Sequence, residues 1–235
     1  MDEIARDYTA DLLGSSSLAA LLTALVSLVL VANRGTWPLL RNVITIAHEG
    51  GHAVIALLSG RKLNGIRLHS DTSGLTVSTG KPTGPGMVFT LIAGYPAVPL
   101  LGLGGAWLVA ADRAQLMLWI SIGLLVLMLL AIRNAYGALS VLITGGALFA
   151  VSWYAPPAWQ AVCCALVSWF LLIGGLRPLG ELRSKRARGR APDSDADQLA
   201  RLTGLPGTAW LLLWLLVGLA SLLVGGALLL QMPQL

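Results

Sequence analysis

The sequence predicts an all-α polytopic membrane protein of about seven transmembrane helices, with a small β-hairpin after the second. Three observations carry this. Charged residues make up 11% of the chain, where soluble domains average about 25%, and mean hydropathy is +0.76. Apolar runs of about 20 residues, the length that spans a bilayer, recur seven times. The basic residues behind the formal charge of +5 gather in a few loops, where they set topology. No spaced aromatic–basic pattern suggests nucleic acid. The 235 residues read as a single membrane-embedded domain, 1–235, with a charged cytoplasmic loop at about 177–206.

Taken in order, residues 1–14 are polar and amphipathic, as in a short interfacial helix. The start is acidic (Asp2, Glu3, Asp7), unlike the basic start of a secretory signal, so the first apolar run is read as a retained span. That span covers about 15–32. Asn33-Arg34-Gly35 breaks it, and Trp37-Pro38 looks like an interfacial anchor. Span two is about 40–58. Residues 60–85 then change character. Ile66 and Leu68 alternate with Arg67 and His69, Leu75 and Val77 with Thr76 and Ser78, and Asp71-Thr72-Ser73-Gly74 is turn chemistry. This is the hairpin, and it must lie against protein or line a wet cavity.

Span three, about 86–110, carries Gly94, Pro96 and Pro99. Spans four (116–132) and five (135–154) flank Arg133-Asn134. Span six is about 159–176, after Pro156-Pro157. Span seven, about 208–230, follows the charged stretch Arg177–Arg201. Adjacent Cys163 and Cys164 in an apolar segment read as small buried residues.

Seven alternating crossings place Arg6, Arg61, Lys62, Arg67, Lys81, Arg133 and the six-to-seven loop on one side. Arg34, Arg41 and Arg113 fall on the other. Positive residues stay inside, so the expected orientation has a cytoplasmic N-terminus and an external C-terminus.

Span two carries the chemistry. His48-Glu49-Gly50-Gly51-His52 is His-Glu-x-x-His, and on a helix residues i and i+4 share a face, so His48 and His52 can hold one metal ion. Glu49 can take a proton from a water beside it. Ionisable residues within a span cost about 2.5–3.5 kcal/mol each, so an intramembrane cluster points to function. Gly50 and Gly51 permit close approach of another backbone. For a third ligand the candidates are His69, Asp71, Asp193, Asp195 and Asp197, with Ser194 or Asp195 capping a helix. Asn134 at a span end could position a substrate carbonyl.

These residues resemble the site-2-protease family of intramembrane zinc metallopeptidases. The likeness rests on His48 to His52 in an early membrane helix followed by a Gly-containing hairpin, Gly65 to Thr79. It is closer to the small bacterial M50B-like branch through Arg133-Asn134-Ala135-Tyr136-Gly137 and Ser194-Asp195-Ala196-Asp197-Gln198-Leu199-Ala200-Arg201-Leu202-Thr203-Gly204. The resemblance implies Zn2+ held by His48, His52 and, as the best match, Asp195, with Glu49 as catalytic base. It implies cleavage of membrane-embedded helices in a bacterial plasma membrane, with anti-sigma factors or other signalling proteins among the substrates. Typical members place the aspartate in an Asp-Gly pair within a membrane helix; here Asp195 precedes Ala196. Either a short helix re-enters the membrane there or the third ligand differs. The alternative reading is a non-proteolytic metal-binding scaffold that binds a partner.

Overall fold

In lipid the backbone must satisfy its own polar groups, so the apolar runs form helices. The computed structural model describes residues 16–231, and the interfacial helix expected over 1–14 lies outside them. The elements are α1 (Ser16–Ala32), α2 (Trp37–Leu58), β1 (Lys62–Leu68), β2 (Gly74–Thr79), α3 (Pro85–Ala110), α4 (Ala114–Ala131), α5 (Ala135–Tyr154), α6 (Pro157–Gly174), α7 (Arg177–Ala187), α8 (Asp195–Thr203) and α9 (Gly207–Leu230). Each predicted span has its helix. Five stretches are long and apolar enough to cross a bilayer alone: α3, α4, α5, α9 and the continuous Pro157–Ala187. The α1–α2 pair, bent by 103°, makes six if it is counted as one broken span.

The bend is built into the sequence. Asn33 Oδ1 accepts from the backbone N–H groups of Gly35 and Thr36 (2.7 and 3.2 Å), and Thr36 Oγ1 donates to the Leu30 carbonyl (2.8 Å). Pro38 then restarts a helix, in the first turn where its missing N–H costs nothing. Packing shows where the bend sits. Ala19 and Ala20 cluster with Ala106, Val109 and Leu229, so α1 begins beside the ends of α3 and α9. Val31 and Ile44 pack with Val98, half-way along α3. Beyond the bend α2 runs on until Ser59 meets Gly86 at the start of α3.

Arg41 pairs with Glu181 of α7 at 3.2 Å. The charged stretch after span six differs from a surface loop. There α7 prolongs α6, and α8 folds back into the bundle, with Ala196 and Leu199 buried against Leu91, Leu179, Leu182, Trp210 and Trp214.

The hairpin forms as expected, antiparallel, with Ile66 opposite Thr76 and Leu68 opposite Gly74. The turn closes through His69 N–H to the Ser73 carbonyl and Asp71 Oδ1 accepting from Ser73 N–H. Ile66 and Leu68 are buried against Ile46, Ala53, Met128 and Ile132. Leu75 and Val77, on the other face, are exposed. The free edge of β1 is occupied: Ile66 bridges Ile132, and Arg133 N–H donates to the Ile66 carbonyl. No strand other than β1 pairs with β2 among the described residues.

Candidate metal centre

Helical spacing puts His48 and His52 on one face of α2, turned towards α3. The sharp N-terminus of α8 brings Asp195 to the same point. His48 Nε2 and His52 Nε2 stand 3.0 Å apart, and each is 3.4 Å from Asp195 Oδ2. A tetrahedral ion bound at about 2.0–2.1 Å needs donors about 3.3 Å apart, so the triangle has the right size. The donor chemistry fits as well. His52 Nδ1 lies 2.7 Å from the Thr90 carbonyl, which can only accept, so a neutral ring carries its proton there and turns a bare Nε2 lone pair into the triangle. A lone pair facing another imidazole and a carboxylate asks for a cation.

The surroundings hold the donors in place. The His48 ring meets Tyr95 edge-on at 4.6 Å; Tyr95 stacks on Trp214, and Trp214 Nε1 donates to the Ile92 carbonyl at 3.1 Å. Gly94 lies directly under both imidazoles, where a Cβ would overlap His52 Nε2 and sit 2.6 Å from His48 Cε1. Gly51 lets α2 approach α3 in the same way, its virtual Cβ lying 2.8 Å from the Ala93 carbonyl oxygen, whereas Gly50 meets nothing.

Glu49 is only 4% exposed. Its Oε2 accepts from Thr76 Oγ1 at 2.6 Å, so the hairpin holds the carboxylate. At Gly74 a Cβ would overlap that carboxylate.

The remaining candidates lie elsewhere. Asp197 is bound by Arg186 through two nitrogens (2.6 and 3.0 Å) and by Ser194 Oγ. Asp193 faces Arg201 at the surface, Asp71 closes the hairpin turn, and His69 Nδ1 lies 3.3 Å from Ser73 Oγ. Asn134 has both ends of its amide engaged by Leu68, accepting from its N–H (3.2 Å) and donating to its carbonyl (2.6 Å). It pins the end of β1. Sequence reasoning did not reach Thr76, Thr90, Tyr95 or the steric roles of Gly74 and Gly94. For Thr76 a signal existed: it is the polar residue between two apolar ones that, across the ladder from Ile66, faces the bundle.

In a polytopic helical membrane protein, His48, His52 and Asp195 thus form a cluster that could hold a metal ion, next to a buried glutamate. Residues 21–225 match the family model of Peptidase M50B-like proteins, and the chain belongs to that family. No curated protein and no solved structure matches it.

Proposed function

We propose that the protein is an intramembrane zinc endopeptidase that cleaves membrane-embedded segments of other proteins. The observation that carries this is the triangle of His48, His52 and Asp195 beside a buried Glu49 that a strand holds. A zinc ion there supplies a water acidic enough to ionise near neutral pH and a Lewis acid for a peptide carbonyl. Glu49 takes the water's proton and delivers it to the leaving amine nitrogen, with Thr76 orienting its carboxylate. A substrate helix shields its carbonyls in its own hydrogen bonds and must unwind first. The edge of β2 not used by β1 lies on the strand that touches Glu49, and an extended segment can pair there.

The side bearing the hairpin, Arg133 and α7 also bears most of the described Lys and Arg, so it is assigned to the cytoplasm of a bacterial plasma membrane. Substrates are membrane proteins, anti-sigma factors or other signalling proteins among them. Glu49→Gln should reduce cleavage of a co-expressed single-span substrate at least ~100-fold while expression and zinc content stay at wild-type levels. Undiminished cleavage would sink the mechanism.

A further inference from the structure

A second group of charges lies away from the metal centre, where α2 leaves the bend and passes α7. Arg41, Arg177, Gly180, Glu181, Ser184 and Lys185 line an open cavity of about 560 Å³. On α7, residues 177, 181 and 185 share a face at i, i+4 spacing. The floor is rigid. Arg177 lies over the Trp37 ring at 4.6 Å, donates to the Val31 carbonyl and pairs with Glu181 at 3.4 Å. Trp37 Nε1 donates to Glu181 at 3.0 Å, and Arg41 pairs with the same carboxylate at 3.2 Å. One carboxylate thus answers two guanidinium groups, and Lys185 has no ion pair among the described residues. Asp71 of the hairpin turn is near enough to feel Lys185 but is bonded to Ser73. The wall therefore carries three cations against one anion.

Depth makes the Arg41 and Arg177 charges costly, while Lys185 stands exposed further along α7. Gly175, two residues before Arg177, packs on Val98 and Pro99, half-way along α3. Arg34 in the bend and Leu39 just after it are exposed. Uncompensated cations there are expensive, whereas lipid headgroups and water drawn inward relieve them. We infer that this crevice is a binding site for a phosphate-bearing anion, seated between the Arg41–Arg177 floor and Lys185. Planar guanidinium forks match phosphate oxygens, and Lys185 adds a mobile point charge. The cavity is open, which suits a phospholipid headgroup of the leaflet; free phosphate shares the same chemistry. The site adds a tie between α2, which carries His48 and His52, and α7, which leads to Asp195.

The test uses the full chain in an uncharged detergent, with native mass spectrometry reading retained lipid. Phosphatidylglycerol should be kept in preference to phosphatidylcholine. Lys185→Gln should weaken that retention about fivefold and Lys185→Arg restore it. Gly180→Glu, whose side chain enters open space at the cavity, should abolish it, and Arg190→Gln outside the cavity should leave it unchanged. If inorganic phosphate binds instead with the same dependence on Lys185 and Gly180, the anion site stands and its source is solution. Equal retention of the two lipids without phosphate binding, or an equal loss in Arg190→Gln, would overturn it.

Discussion

At the scale of single residues the centre depends on two glycines and a threonine as well as on its ligands. Gly94→Ala places a methyl where both imidazoles lie. Metal affinity should fall at least ~10-fold, the usual size of such a supporting effect, as read by metal retained after dialysis against a chelator. Thr76→Val leaves the Glu49 carboxylate buried without its donor; cleavage should fall ~10-fold or more with metal content unchanged, a split that separates proton transfer from binding. The histidines and Glu49 were legible from sequence because their spacing is the spacing of a helix. Asp195 was singled out among the acidic candidates through resemblance alone, since nothing local to residues 193–197 tells which aspartate turns inward. Asp197 is consumed by Arg186 and the Ser194 cap, and Asp193 by the surface.

Among the elements, the hairpin does two jobs with its two strands. Its existence could be read from alternation and turn residues, but the role of each face could not. The apolar residues of β1 are buried, those of β2 are exposed, and the inward position on β2 is the hydroxyl of Thr76. The turn carries its own pH dependence. Two hydrogen bonds from Ser73 hold Asp71 below the usual carboxylate range. A carboxyl whose folded pKa is depressed contributes stability above its unfolded value, about 3.9, and loses it as pH falls through the lower folded value. Hydrogen exchange at the Ser73 amide, corrected for intrinsic rate, should show constant protection above about pH 5 and progressive loss below about pH 4. Asp71→Asn should flatten that profile. On α8, Ser194→Ala removes a cap that accepts from Asp197 N–H, which should cost about 1 kcal/mol of stability at that helix and loosen the placement of Asp195.

For the whole molecule the fold class followed from composition, because a chain this poor in charge has no other solvent. The number of crossings did not follow. Hydropathy sees two apolar runs flanking Asn33-Arg34-Gly35 and counts two spans; the 103° bend depends on hydrogen bonds local to Asn33 and on packing against Val98 and Phe170, contacts distant in sequence. The two topologies make opposite statements about Arg34. Seven crossings place it on the same face as Asp112, whereas a single broken crossing of α1 and α2 would place it near the middle of the bundle, where Val31 packs with Val98. In a background with Cys163 and Cys164 replaced by alanine, a membrane-impermeant maleimide applied from the side that labels Asp112→Cys should leave Arg34→Cys unlabelled. Labelling of both from that side would support the seven-crossing arrangement.

The three donors also enter the world at different times. His48 and His52 leave the ribosome early, whereas Asp195 comes only after α3 to α7, and the Trp210 and Trp214 that bury its helix come later still. A nascent chain therefore carries half a centre for most of its synthesis. On the proposed function, such a protein would be born latent, without a complete centre until its last crossing is in place.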